Sequence, residues 1–347
     1  MTGAAQVASA VRLVAAPAFA FAGALTLTAL VLLIFGANPV EVFSAVFSDA
    51  FASWYGFSET LVKATPIMLC ALAVAVPAWA GLTNVGAEGQ LYIGATCAAG
   101  IALYGPALPA FALLPLMIVA AFAGGAVWAA AAAFLRAKFS TSEVMVTLVG
   151  NFLGVLFVQY LVYGPWRDPS SRGWPQTAEF SDAATLPHLG FERVHLGLVI
   201  AVVAAIILFA LRRRTIWGQQ LRVIEANKDV ASYSGIRVGR YLFWSLVIGG
   251  GLAALAGMAE ASAIQGRLRA ELSPGYGYTG ILVSWLARHN PIAIVFVALL
   301  IGGLWAGGDG IQITMGLPAA TIGIAIGLML FLLLVGDVLL DRVGDRR

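Results

Sequence analysis

Two carboxylates stand in apolar surroundings. Glu88 follows the glycine-rich run Gly81-Leu82-Thr83-Asn84-Val85-Gly86, and Glu260 closes an apolar stretch. An ionisable group within such a segment is costly and by default functional. Glu88 either caps the helix it begins or lines a solute path. Glu260 shares a helical face with Gly249, Ala253, Ala256 and Gly257. That face either packs tightly against a neighbour or ends at a polar cavity that hydrogen-bonds a hydroxyl-rich solute. Asn84, Gln90, Asn151 and Gln159 add neutral groups that both donate and accept. Tyr276 and Tyr278 offer rings that stack on a base or anchor at an interface. Asp309 reads as a turn residue between two apolar runs. Enzyme signatures are absent from the sequence: no Gly-Lys pair exists for a phosphate loop, and neither HExxH nor GxSxG occurs. His188, His195 and His289 lack metal-ligand spacing, and Cys70 and Cys97 lie in apolar runs with no CxxC.

The elements that must position these groups follow from composition. Of 347 residues, 61% are hydrophobic and 11% charged, with a mean hydropathy of +0.91. Soluble domains carry roughly 25% charged residues, so this chain cannot supply a polar skin. The fold class expected is all-α, a polytopic membrane bundle of about ten spans of ~20 residues each. Spans are placed at 14–35, 64–81, 88–104, 107–135, 144–164, 195–211, 241–264, 277–287, 292–306 and 315–336. The eighth is too short to cross and reads as a half-helix lining a protein cavity. Ala18-Phe19-Ala20 resembles a cleavage site, but the apolar run continues to Phe35, so an uncleaved first span is expected. A net charge of +3 without a dense basic-aromatic patch gives no reason to expect nucleic-acid binding. The whole of 1–347 reads as one transmembrane domain in contact with the lipid bilayer.

Basic residues set the orientation. Arg212, Arg213, Arg214, Arg222, Lys228, Arg237 and Arg240 crowd the loop 212–240. With Arg12, Arg136, Lys138, Arg288, Arg342, Arg346 and Arg347 they fall on one side of a ten-span chain, which must be the cytoplasm. Lys63, Arg167, Arg172, Arg193, Arg267 and Arg269 fall on the other. Both termini are then cytoplasmic and the 165–194 loop external. A glycine-rich break recurs in the two halves, at 81–86 and at Ser273-Pro274-Gly275-Tyr276-Gly277. Paired interruptions of this kind point to inverted repeats around a binding site. On that picture Glu88 and Glu260 approach a shared cavity from opposite halves.

Within 212–240, Asn227 is a capping residue that opens a short helix over Lys228–Ser234, and Gly235 ends it. The segment reads either as a solvated basic loop or as an ordered protrusion suited to docking. The spacing of Gly218, Leu221, Arg222, Asn227, Ala231, Gly235 and Ile236 resembles the coupling segment of permease subunits from ATP-binding-cassette importers. Glu225 departs from that pattern, where glycine is common. Asn84-Val-Gly86-Ala-Glu88-Gly89-Gln90 is similar to the signature of permeases for nucleosides and simple sugars. Ala256-Gly-Met-Ala-Glu260, Gly266-Arg-Leu, Asn290-Pro291, Gly307-Gly-Asp309 and Met315-Gly-Leu-Pro318 are similar to the nucleoside branch. The likeness runs over roughly 40–340.

The resemblance implies a nucleoside or simple-sugar path through Asn84, Glu88, Gln90, Asn151, Glu260, Tyr276 and Tyr278. It implies that Glu225, Ala226, Asn227, Lys228, Asp229, Ala231, Ser234 and Gly235 couple the path to an ATPase. No cofactor is expected on this chain, ATP–Mg belonging to the ATPase partner. The implied partners are cytoplasmic ATP-binding subunits, a second permease subunit, identical or homologous, and an extracytoplasmic substrate-binding lipoprotein. The implied location is the inner membrane of a prokaryote. Two alternatives stay open: a branched-chain amino acid permease of the same family, and an ion-coupled secondary transporter. The second needs a carboxylate pair or ion cage, and neither Glu88 nor Glu260 has an obvious partner in the sequence.

Overall fold

The computed structural model describes residues 22–171, 173–317 and 320–344, and among them helix is the only regular element beyond two isolated β-bridges. The helices are α1 (22–34), α2 (Pro39–Phe47), α3 (Trp54–Ala78), α4 (Ala87–Tyr104), α5 (Ala110–Phe139), α6 (Glu143–Tyr163), α7 (Leu196–Arg214), α8 (Ile216–Ala226), α9 (Lys228–Tyr233), α10 (Val238–Ala259), α11 (Tyr276–Leu286), α12 (Pro291–Met315) and α13 (Ala320–Gly344). Each expected span coincides with one of them. Among the described residues, six are long and apolar enough to cross a bilayer: α3, α5, α6, α7, α10 with its extension to Gln265, and α12 to Gln312. The part of the first span before residue 22, with the cleavage-site question, lies outside the described residues, as do Arg12, Arg172, Pro318, Arg346 and Arg347.

The chain divides into two compact units. The larger runs from Leu61 to Gly302. At its centre α10 packs along α5 and α4, and the apolar windows of α3 and α10 are 83% and 78% buried, against 22–28% for α5, α6 and α7. The interior helices are therefore α3, α4 and α10. The expected small-residue face of α10 is a packing face: a Cβ at Gly257 would lie 1.9 Å from the Leu91 carbonyl oxygen, and one at Gly249 2.5 Å from that of Ala73. Helix backbones approach this closely only where side chains are minimal. From Glu260 to Gln265, α10 widens into a π turn, a local irregularity frequent at functional sites. Ser262 in that turn donates to the Ala184 carbonyl at 2.6 Å and accepts from Leu186 N–H at 3.1 Å. It thereby anchors the 165–194 loop at Ala184 and Leu186.

The smaller unit comprises the described residues up to Thr60 and from Gly303 onward. Two corrections arise in it. A short capped helix, α2, stands before α3, opened by Asn38 Oδ1 accepting from Val40 N–H at 3.1 Å, and α3 begins at Trp54, ten residues before the expected span. Asp309 is no turn residue: α12 continues helical to Met315. The run Gly307-Gly308-Asp309-Gly310 is weak in helix propensity, but packing overrides it. A Cβ at Gly307 would meet the Val46 carbonyl oxygen at 2.3 Å and one at Gly308 the Ile322 side chain at 2.4 Å.

Candidate functional site

Pro77 starts the local construction. It lacks an N–H and so strands the carbonyl four residues back, that of Ala73. Asn84 Nδ2 supplies a donor at 3.4 Å. The same amide pairs reciprocally with Gln90, Asn84 Nδ2 to Gln90 Oε1 at 3.0 Å and Gln90 Nε2 to Asn84 Oδ1 at 3.2 Å, while Asn84 Oδ1 accepts from Gly86 N–H at 3.0 Å. The break between α3 and α4 is thus locked by two buried amides.

A stripe on α6 completes the satisfaction of that break. Glu143, Thr147 and Asn151 recur every four residues and share one face. Glu143 Oε1 accepts from Thr83 N–H at 3.4 Å, Thr147 Oγ1 from Val85 N–H at 3.3 Å, and Asn151 Oδ1 from Gly89 N–H at 2.8 Å. Asn151 Nδ2 donates to the Val85 carbonyl at 2.8 Å and to Tyr278 Oη at 3.4 Å. Asn151 therefore caps α4 from a neighbouring helix. Sequence reasoning found Asn151 but missed Glu143 and Thr147; their spacing was the available signal.

Glu88 does the same for α11. Its Oε2 accepts from Gly277 N–H at 2.7 Å, in the first turn of the half-helix, and it hydrogen-bonds the Ser273 side chain. Ser273 Oγ accepts from Gly275 and Tyr276 N–H at 3.1 and 2.9 Å. The carboxylate lies at the positive end of a helix, where negative charge is favoured. It is a cap, but of α11 rather than of the helix it begins. A Cβ at Gly277 would lie 2.3 Å from Glu88 N, so α4 and α11 meet backbone to backbone.

The expected path residues Asn84, Glu88, Gln90, Asn151, Tyr276 and Tyr278 are therefore one neighbourhood, uncharged apart from Glu88. Beside it opens a cavity of about 360 Å³ whose lining is mostly apolar, Trp128, Met145 and Leu153 among it, with Gln90 and Thr147 its polar side chains. Neither carboxylate lines it. Glu260 has different partners: a hydrogen bond with Gln265, and Lys63 and Arg193 within electrostatic reach. The expectation that Glu260 lacks a partner is corrected, and its partners are not those of Glu88.

The coupling segment is built as its capping residues demand. Asn227 Oδ1 accepts from Asp229 and Val230 N–H at 2.9 and 3.1 Å. Gly235, at φ +78°, ends α9 with Ile236 N–H bonded to the Ala231 carbonyl at 3.0 Å and Gly235 N–H to that of Ser232 at 3.0 Å, a Schellman-type stop. Ala231 is fully buried, whereas Tyr233 is 95% exposed and Val230 53%. Those two apolar side chains, missed from the sequence, form the presented face. Before α9 the segment is helical too: α8 buries Gly218, Leu221 and Ile224.

Two contacts tie this segment to the rest of the larger unit. Glu225 Oε2 pairs with Arg212 Nη2 at 3.2 Å. Arg212 also donates to the His289 carbonyl at 3.3 Å and lies over the Trp79 ring at 5.0 Å, and Trp79 Nε1 donates to that same carbonyl at 2.9 Å. The turn Arg288-His289, both at positive φ, follows α11 directly. Ser284 Oγ hydrogen-bonds His289 Nδ1 at 2.9 Å. Burial, and then the Arg212 charge, push the His289 imidazole down to about 4. The second contact is Lys228, whose Cε lies 3.5 Å from where a Cβ of Gly81 would be. The segment thus touches the glycine-rich break at Gly81 and the turn that follows α11.

Comparison with known proteins places this geometry in context. Residues 56–334 match the family described as "Branched-chain amino acid transport system / permease component". The chain is 35% identical over 346 residues to a glucose ABC transporter permease of Haloferax volcanii, covering 95% of this chain and 90% of that one. It is 31% identical to a guanosine ABC transporter permease of Bacillus subtilis, covering 87% of each. A nucleoside ABC transporter permease of Lactococcus lactis is 28% identical, with 93% of this chain and 91% of that one covered.

Proposed function

The chain belongs to this permease family, and from that premise we propose that its solute is a nucleoside or a simple sugar. It is the multi-pass membrane subunit that forms the translocation path of an ATP-binding-cassette importer. It is not an enzyme; ATP hydrolysis lies on a separate subunit, and the family works with ATP-binding subunits and a substrate-binding protein. The observation that carries the solute class is the neutral amide and hydroxyl cluster of Asn84, Gln90, Asn151, Thr147 and Tyr278 beside the cavity. Such groups suit an uncharged, hydroxyl-rich molecule, and the relatives named for guanosine and glucose support the same class. An α-amino acid would want a helix N-terminus for its carboxylate. Glu88 already occupies the nearest one, which disfavours that solute.

The finer assembly belongs to the same proposal. The chain pairs with a second permease, identical or homologous, in a prokaryotic inner membrane, and receives solute from an extracytoplasmic lipoprotein. Both termini and α9 face the cytoplasm. No cofactor is held here; ATP–Mg binds the ATPase. Closure of the ATPase pair moves α9 and Glu225, and the path switches sides. Glu260, with Lys63 and Arg193 beside it, stands towards the outer mouth.

The test is uptake of labelled guanosine, glucose and leucine by cells expressing the chain with its ATPase and binding protein. Saturable guanosine or glucose uptake with no leucine uptake is expected. Leucine transport alone would overturn the solute class. A cysteine at Asp182 should react with an impermeant thiol reagent from outside and one at Lys228 only after permeabilisation; the reverse would overturn the orientation.

A further inference from the structure

A graded stripe runs along the first turns of α10. Arg237, Arg240, Tyr241, Trp244 and Ile248 recur at spacings of three and four residues, so they share one face over about 16 Å. The stripe passes from guanidinium through aromatic to aliphatic, and it begins where the candidate span Val238–Gln265 begins. Opposite it stand Leu211 at the end of α7 and Trp217 and Gln220 of α8, enclosing an open groove of about 580 Å³. Trp217 stacks on Tyr241 with ring centroids 6.3 Å apart and planes at 28°. Arg237 and Arg240 are both exposed, and among the described residues neither makes an ion pair. Arg237 is the N-cap of α10, and no side chain bonds that helix's first-turn N–H groups, which adds partial positive charge at the same place.

We propose that this groove binds the phosphate headgroup of an anionic phospholipid, with an acyl chain lying along Trp244 and Ile248. Both the charge and the order of the lining argue for it. From a membrane interface inward a phospholipid presents phosphate, then ester carbonyls, then hydrocarbon. The groove presents two guanidinium groups, then the Gln220 amide and the Trp217–Tyr241 pair, then Leu211, Trp244 and Ile248. Basic pockets between spans at the interface are suited to anionic headgroups, and arginine binds phosphate in a bidentate fork. A free phosphate would use the arginines and leave the aliphatic end of the groove without an occupant. The inference requires only that the chain be embedded in a bilayer, so it stands apart from the solute class.

The experiment reconstitutes the full chain in vesicles and measures tryptophan quenching by brominated phosphatidylglycerol against brominated phosphatidylcholine. Phosphatidylglycerol should be preferred, and Arg237→Gln with Arg240→Gln should lower its relative affinity by roughly tenfold to thirtyfold. Arg237→Lys with Arg240→Lys should retain most of the preference, which separates lost charge from lost folding. Trp244→Phe, at the acyl-chain end of the groove, should remove most of the phosphatidylglycerol-specific part of the quenching. Equal quenching by the two lipids, or a preference unchanged in the double glutamine variant, would overturn the proposal. Displacement of the lipid by millimolar inorganic phosphate would show a free-phosphate site instead. A double variant that keeps its lipid preference but no longer retains the ATPase would make the groove a protein-docking surface.

Discussion

Glu88 sits on the N-terminus of α11, so the effect of changing it depends on what is left to accept the Gly277 N–H. Glu88→Gln keeps an acceptor and loses only the favourable interaction of a charge with the helix end, worth about 0.3–1 kcal/mol and up to ~2 when buried. Glu88→Ala strands a buried donor, at about 1–3 kcal/mol. The alanine variant should therefore lower the thermal midpoint of the purified protein clearly more than the glutamine one. Equal midpoints would mean that the bond to Gly277 contributes nothing. A second residue-scale effect concerns pH. His289 is held neutral, its imidazole at about 4 against ~6.5 in an unfolded chain. Between those values the unfolded chain binds the extra proton, so the stability this group contributes is full above the unfolded value and is lost as pH falls from ~6.5 towards 4. Acidifying from about pH 7 to about pH 5 should cost on the order of 2 kcal/mol from this group. His289→Asn should flatten the part of the melting-temperature slope that falls in this window. An unchanged slope would place the acid sensitivity elsewhere.

At the scale of the element, α9 divides its residues between holding the helix and presenting it. Asn227→Ala removes a cap worth about 1 kcal/mol, and Gly235→Ala forces a Cβ into a left-handed conformation at roughly 1–3 kcal/mol. Both should loosen α9. Tyr233→Ala touches nothing inside the chain, being 95% exposed, so it should leave the melting temperature unchanged while lowering ATPase co-purification several-fold. Retention of the ATPase by Tyr233→Ala would take this face out of the docking surface. The limits of α9 were legible in the sequence because cap and stop act locally, through Asn227 and Gly235. Its exposed side was not, because which face of a six-residue helix is buried depends on packing against the rest of the chain. The same holds for the path residues. Their types were legible, and six of seven do lie together. That Asn84 and Gln90 bond one another, that Asn151 caps α4 and that Glu88 caps α11 needs contacts between residues up to 189 positions apart. Helix α2 and the helical course of Asp309 were missed for a related reason, since close backbone packing at Gly307 and Gly308 overrides the weak propensity of that run.

At the scale of the whole molecule, transport requires the ATPase to be felt at the path, and Arg212 lies at the crossing. One guanidinium holds Glu225 ahead of α9, the turn that ends α11, and the Trp79 ring at the end of α3. The N-termini of α4 and α11 are in turn fixed by Asn151 and Glu88. On the proposed function, a displacement of Glu225 would pass through Arg212 to the turn that ends α11 and to Trp79 at the end of α3. Lysine is a poor substitute, since it cannot serve carboxylate, carbonyl and ring at once from a planar group. Removal of a charged hydrogen bond costs about 1.5–3 kcal/mol, equivalent to one to two decades. Arg212→Met should leave the ATPase bound and hydrolysing but lower solute uptake per ATP by roughly tenfold or more. Glu225→Gln should give a weaker form of the same defect, and the double variant should be no worse than Arg212→Met alone, because both changes break one link. Additive losses would mean that Arg212 acts through the His289 carbonyl and Trp79 independently of Glu225. Loss of ATPase binding in Arg212→Met would reduce the residue to a support for the α8–α9 segment.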